Sequence, residues 1–503
     1  MPKIYKVALL VVVIGLWTLS AASAEGGPIK VALDWNKVIA TSKSNIAIQD
    51  CPEPPLYRGQ PIHDKIYKAL HDLDADYSRI QPWFPYPKLA VAELKPPDQT
   101  KTHWDFNLMD SLVEDFMTAT AGHPVVFQAG TVPSWMLTSP SPNHYPEDPQ
   151  VIDWTYSRDG KVNASSAALL ADYQARMASW YIKGGFEDEL GVWHASGHAY
   201  KFDYWEPMNE EDQRFSPEDL TKLYDASVAS VRKIAPDMKF MGPTLSNTVD
   251  LPQFVAYFFD PKNHQPGIPI DIVSYHFYAV TESDETPEIM QRTMFRQANQ
   301  ILTTVGYIEA FRKRFLPQAK TDITELGSIL MPAEAADPHP PIPASYWSLS
   351  GSVWAYIYGH LAAKGIDILT AAELIDYPGQ FAGTTLVNWE TGEPNARYWV
   401  IKLLHDNFGP GDKLIPPNKV DEIMQPDPAV QIYVQGFITP QGLRKVLLVN
   451  KRDRALDVSI AGAAGGEEQH VDQSTTTLPI AHKLTDDTFH LPPSAVAVLT
   501  LSH

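Results

Sequence analysis

With 503 residues, 44% of them hydrophobic and 11% aromatic, the chain carries ample material for a packed core, and global disorder is excluded. The length exceeds one average domain and suits a barrel of roughly 250 to 350 residues with a smaller module. A formal net charge of −20 sets the chain against nucleic acid and anionic membrane surfaces, and against a polyanionic substrate unless a local basic pocket overrides it.

The chain opens on Lys3 and Lys6, an apolar run over 7–19 and the small-residue stretch Ala22-Ser23-Ala24. Residues 1–24 are therefore expected to be an export signal, its apolar part short of the ~20 residues that span a bilayer. Retention as an anchor is the alternative. No later stretch is long and apolar enough to span. The expected product is a periplasmic or secreted protein without stable membrane insertion after signal removal. Cys51 is the single cysteine, so no intramolecular disulfide can form, and its expected role is a small packed side chain.

Residues 29–38 alternate as a strand does, and the Pro-rich run Cys51-Pro52-Glu53-Pro54-Pro55 then interrupts the chain as a turn. Ile62, Ile66, Leu70 and Leu73 mark an amphipathic helix at a spacing near 3.6. From there strands and helices alternate. Strands are expected over 76–80, 125–129, 202–205, 239–241, 270–274, 322–324 and 366–369. Helices are expected over 106–119, 167–183, 217–234, 289–315, 351–363 and 396–407. Beyond Gly411 the pattern changes to short strands over 431–434, 444–449 and 495–499, separated by Gly, Asp and Pro turns.

Strands separated by helices imply a parallel sheet, and seven or eight such units favour closure. The expected fold is α/β: a (β/α)₈ TIM barrel over 44–410, with an accessory antiparallel β-sandwich. That sandwich is built from 411–503 and a strand within 25–43, which brings the termini together.

Two carboxyls stand where strands run out. Glu210 ends Tyr204-Trp205-Glu206-Pro207-Met208-Asn209-Glu210, and Glu325 ends Thr321-Asp322-Ile323-Thr324-Glu325. They are 115 residues apart, three units of about 31 residues with modest insertions, which assigns them to the fourth and seventh strands. Paired carboxyls at one rim suit glycosidic bond cleavage, which needs one acid kept protonated by burial and one carboxylate kept ionised by hydrogen bonds and positive charge. Asn209 can hydrogen-bond the sugar hydroxyl beside the reacting carbon while Glu210 reaches the leaving oxygen.

The 204–210 run, followed by Phe215-Ser216-Pro217-Glu218 and later by Phe240-Met241-Gly242-Pro243, resembles the acid/base segment of glycoside hydrolase family 39. Ser274-Tyr275-His276-Phe277-Tyr278 and Thr324-Glu325 are similar to its sixth-strand and nucleophile segments. The resemblance covers about residues 56–410, and Glu211 departs from it where a proline is common. It implies an exported or lysosomal retaining exo-glycosidase, of a group that includes β-xylosidases and α-L-iduronidases. Under it Glu210 is the acid/base and Glu325 the nucleophile. Tyr278 would donate to Glu325, and His276 would contact the sugar or the nucleophile. Arg79, ending the second strand, would sit below Glu325 and depress its pKa, or make an ordinary ion pair.

Sugar pockets use aromatic faces, and Trp83, Trp135 and Trp389 fall in loops on the expected catalytic side. Asp34, His63, His103 and His123 lack metal-ligand spacing, and the chain has no HExxH, Cys pair or EF-hand loop, so no metal is expected. Without a Gly-rich phosphate loop after a strand, no nucleotide cofactor is expected either. The function expected is retaining exo-hydrolysis of terminal glycosidic bonds in plant- or microbial-type oligosaccharides, xyloside-like substrates first. An endo-acting glycanase of the same clan and an inert carbohydrate-binding protein are the alternatives.

Overall fold

The computed structural model describes residues 27–138, 145–156, 160–161, 164–246, 248, 252–332, 342–376, 381, 383–420 and 431–502. The expected export signal at 1–24 and most of the Pro-rich loop after Glu325 lie outside the described residues.

Eight parallel strands close into a barrel: β1 (Asn45–Asp50), β2 (Tyr77–Ile80), β3 (Val125–Gln128), β4 (Tyr204–Glu206), β5 (Lys239–Leu245), β6 (Ile272–Glu282), β7 (Lys320–Met331) and β8 (Ile368–Ala371). β8 pairs back onto β1 in parallel register. The longest crossover helices are Ala164–Lys183, Pro217–Ile234, Pro287–Phe315 and Ala344–Lys364. The helix at Pro217 begins where its sequence provides a start. Ser216 Oγ accepts the Asp219 amide at 3.2 Å, and Pro217 occupies a first-turn position where no amide partner exists.

Seven of these strands are expected from sequence; β1 is not. Asn-Ile-Ala-Ile-Gln-Asp has no polar outer face: it is buried almost throughout, and Gln49 and Asp50 are hidden from solvent.

Side chains inside the barrel come in layers set by the two-residue strand period. Ala47, Val126, Tyr204, Met241, Ile272 and Ile368 form an apolar layer at the N-terminal end, with Tyr77 packed against it. Two residues further along, Gln49, Arg79, Gln128, Glu206, Ser274 and Thr370 make the next layer polar and buried. Apolar packing thus closes the bottom, and charge collects toward the C-terminal rim. β6 and β7 run beyond the barrel wall as a long pair from Ile272↔Lys320 to Glu282↔Met331, with one register shift between Tyr275 and His276 that leaves Thr324 without a paired residue.

The second unit is a sandwich of a four-stranded and a seven-stranded sheet. The expected 29–38 strand is shorter, Ile29–Leu33, and a separate short strand, Ala40–Thr41, joins the other sheet. Ile29–Leu33 lies between Pro417–Val420 and Leu456–Ile460, whereas Ala40–Thr41 pairs with Lys413–Ile415. Asp34 breaks the strand by accepting from the Asn36 and Lys37 amides. One apolar core runs from the barrel helices into the sandwich through Phe437, Val449, Val496 and Val498. Among the described residues no helix is long and apolar enough to cross a membrane.

Candidate active site

Glu210 follows β4 by four residues and Glu325 lies midway along β7, so both open at the C-terminal rim of the barrel. They line a cavity of about 580 Å³ with Gln49, Gln81, Trp83, Asn209, His276 and Tyr278. That volume is ordinary for a small-ligand site.

Arg79 organises the floor. Its Nε donates to Glu206 Oε2 at 2.7 Å, one terminal nitrogen donates to Glu325 Oε1 at 3.0 Å, and the other to Asn209 Oδ1 at 3.1 Å. Gln49 Oε1 takes a further bond at 2.7 Å. The buried Glu206 also accepts from Thr244 Oγ1 at 2.6 Å. Because Asn209 Oδ1 is engaged below, its amide nitrogen is left as the donor toward the cavity.

Glu325 Oε2 accepts from the Tyr278 hydroxyl at 2.8 Å and lies 3.1 Å from His276 Nδ1. Burial pushes this carboxyl up, but the charges of His276 and Arg79 and the Tyr278 bond outweigh it, and its pKa falls below the ordinary glutamate value. Glu210 goes the other way. Burial raises its pKa, and the hydrogen bond and charge of His276 only partly offset the rise. His276 is buried, which disfavours its charge, yet Glu325 and Glu210 together hold its pKa above the ordinary imidazole value. Arg79 and His276 thus favour the ionised form of Glu325, whereas burial favours the protonated form of Glu210. Two environments push a pair of acids apart, as acid/base chemistry requires.

The backbone contributes. Glu210 has φ 56°, in the left-handed region, and its amide donates to Thr244 O at 2.9 Å. A non-glycine there costs about 1–3 kcal/mol, a strain that concentrates at functional sites. Gly130, just past β3, lets this segment through: a Cβ there would stand 2.7 Å from the Asn209 amide nitrogen.

Of the three tryptophans expected at the site, only Trp83 lines the cavity. Trp135 is tied away from it by an Nε1–H donated to Glu93 O at 2.8 Å. Trp389 belongs to a separate cavity of about 680 Å³, with Trp347 and the turn at Gln473 and Thr475. Sequence reasoning misses Trp154 and Phe381, whose rings stand 5.4 and 6.0 Å from Trp83 and extend one aromatic wall. It also misses Glu206, Gln49, Gln81 and Glu373, which meet Arg79 or the cavity only through the closed barrel. Tyr-Trp-Glu at β4 is a visible signal for Glu206, since a carboxyl two residues beyond an inward Tyr204 must also face inward.

Glu373 lines the cavity, and burial followed by the charge of Asp376 drives its pKa well above the ordinary value. Deeper in the barrel, burial pushes Asp322 up to about 7. Glu210, His276 and Glu325 are close enough to share a metal ion, as are Glu53, Glu373 and Asp376.

No family model and no curated protein sequence matches the chain. Solved structures do resemble it. A GH51 arabinofuranosidase from Xanthomonas axonopodis pv. citri superposes with a TM-score of 0.64 at 13% identity, covering 94% of this chain and 100% of that one. A GH39 β-xylosidase from Caulobacter crescentus gives a TM-score of 0.57 at 14% identity, over 94% and 99%. A GH30 endoxylanase from Clostridium papyrosolvens C71 gives 0.55 at 12% identity, over 95% and 100%. At these identities the likeness is one of fold, a barrel joined to a β-sandwich.

Proposed function

We propose that the protein is a retaining exo-glycosidase acting on neutral, xyloside-like sugars at the non-reducing end of oligosaccharides. One observation carries the stereochemistry. His276 Nδ1 lies 2.8 Å from Glu210 Oε1 and 3.1 Å from Glu325 Oε2, so those oxygens are at most about 5.9 Å apart. Retaining enzymes hold their carboxyls ~5–5.5 Å apart, whereas inverting ones leave ~6.5–9.5 Å for a water.

In the first step Glu325 attacks the anomeric carbon, the glycosidic C–O bond breaks, and Glu210 gives its proton to the leaving oxygen. A glycosyl ester on Glu325 results. In the second, the Glu210 carboxylate takes a proton from water, the water oxygen bonds to the anomeric carbon, and the ester breaks. Both carboxyls end as they began. Tyr278 and Arg79 hold Glu325 anionic and oriented, and the Asn209 amide faces the hydroxyl next to the reacting carbon.

Among the described residues lining the cavity none is Lys or Arg, while Glu210, Glu325 and Glu373 all face it. A uronate would meet three carboxyls with no lysine or arginine beside it among these lining residues, and His276 is already engaged by Glu210 and Glu325, which supports a neutral sugar. The wall of Trp83 and Phe381 supports stacking of a pyranose face. Exo action follows the family resemblance, and export the signal-like sequence of residues 1–24.

The test is a panel of nitrophenyl glycosides of both anomeric series, with the first-formed anomer read by NMR. Release of xylose from a xyloside with its configuration kept, and turnover of a xyloside well above a glucuronide, is expected. An inverted product removes the mechanism, a preferred uronide removes the substrate class, and mid-chain products from oligosaccharides assign endo action.

A further inference from the structure

The sandwich carries a second group of convergent side chains, remote in sequence from the barrel's catalytic rim. Glu467–Val471 and Ile480–Lys483 form a hairpin at the edge of the seven-stranded sheet, with Glu468 directly opposite His482. Glu468 and His470 are two residues apart, so the strand period puts both on one face with His482 beside them. Glu468 Oε2 lies 2.7 Å from His482 Nε2, and Glu468 Oε1 lies 3.0 Å from His470 Nδ1.

The second of these contacts is no hydrogen bond. Glu468 Oε1 and His470 Nδ1 are both buried and neither has a hydrogen-bond partner, although they face each other. Glu468 is 1% exposed and His470 6%. A buried carboxylate oxygen and imidazole nitrogen without hydrogen-bond partners are costly, and a shared cation would satisfy both. Asp472 Oδ2 stands 3.9 Å from the opposite nitrogen of His470, on the side where a carboxylate holds a ligating imidazole in its tautomer. His482 is half exposed, which leaves an entry path and a coordination position open to water.

We propose that Glu468, His470 and His482 bind a divalent transition-metal ion of the zinc type on this edge hairpin. Two imidazoles and one carboxylate suit that ion better than calcium or magnesium, which prefer oxygen ligands. Ligand atoms about 2.0–2.1 Å from a tetrahedral ion sit roughly 3.3 Å from one another, so the present spacings open by about 0.3–0.6 Å on binding. The ion pins the edge strand Ile480–Lys483, whose ladder partner in the sheet is Glu467–Val471, and fixes the turn that meets Trp389 and Trp347 of the barrel.

The experiment uses untagged full-length protein with Glu325→Gln as background, which dismantles the other histidine-containing metal-capable group at the active site. After chelator treatment and its removal, Zn²⁺ is titrated calorimetrically and Co²⁺ by visible absorption. One equivalent of Zn²⁺ and the absorption of four-coordinate Co²⁺ are expected. His482→Ala, at an exposed position that spares the fold, should weaken binding by ~10-fold or more, and His470→Ala should do the same. Circular dichroism identifies a misfolded His470 variant, in which case His482→Ala decides. No binding by the parent protein, or binding unchanged by His482→Ala, overturns the proposal.

Discussion

Arg79 is buried beneath the cavity and bonds to Glu206, Glu325, Gln49 and Asn209 at once. Removing it leaves Glu206 as an uncompensated charge that is fully buried. Arg79→Met is therefore expected to cost ~3–5 kcal/mol of stability, read by denaturant unfolding. A loss under about 1 kcal/mol, the worth of an exposed pair, would mean that the guanidinium is not the counter-ion the geometry makes it. Tyr278 acts more selectively. Its hydroxyl stabilises only the ionised form of Glu325, so Tyr278→Phe raises the pKa of that carboxyl. Activity needs Glu325 ionised, and the acid limb of the kcat/KM profile should move to higher pH while the alkaline limb, set by Glu210 losing its proton, stays in place. An unmoved acid limb would separate Tyr278 from the nucleophile. At this scale Glu210, Glu325 and Asn209 are legible because each stands where a short apolar run ends, whereas Tyr278, His276 and Arg79 come in only through the family resemblance. Glu206 carries only the inward-facing signal of Tyr-Trp-Glu and Glu373 none, since what they meet lies far away along the chain.

The element that presents Glu325 is the long β6–β7 pair, in which Tyr278 stands opposite Gly327. A Cβ on Gly327 would lie 2.8 Å from Ala372 O and 3.1 Å from the Tyr278 ring. The glycine therefore sets where the tyrosine sits. Gly327→Val should push the ring off Glu325 and reproduce the pH shift of Tyr278→Phe, with the far-ultraviolet dichroism unchanged. A normal pH profile in a folded Gly327→Val protein would contradict this. Helices are the most legible elements, their 3.6-residue spacing and caps such as Ser216-Pro217 marking most of them within a few residues, although Ala344–Lys364, buried almost all round, starts seven residues before the expected 351. β1 escapes because a strand buried on both faces has no polar alternation to read. The tryptophans mislead for a related reason: loop position says which end of the barrel a side chain occupies, and Trp135 and Trp389 are at that end but are drawn into other contacts.

Across the whole molecule, barrel and sandwich share one apolar core. Phe408 packs on Phe437 with ring centroids 4.1 Å apart, and Tyr356 on Tyr433 at 5.2 Å. Gly359 leaves room for that tyrosine, since a Cβ there would meet its hydroxyl at 2.5 Å. The change in composition after Gly411 announces the second unit but not this contact. Truncation after residue 410 should bare the aromatic face and give a protein that aggregates or binds apolar dyes; a soluble, active barrel would show the units to be independent. The central claim, that Glu325 forms the covalent bond to sugar while Glu210 serves as acid and base, is tested most directly by trapping that bond. A 2-deoxy-2-fluoro glycoside with a good leaving group slows release of the glycosyl ester, and peptide mapping by mass spectrometry locates it. The account predicts one adduct, on the peptide that carries Glu325. An adduct on Glu210 or Glu373, or none in an enzyme that turns over the parent glycoside, would contradict it.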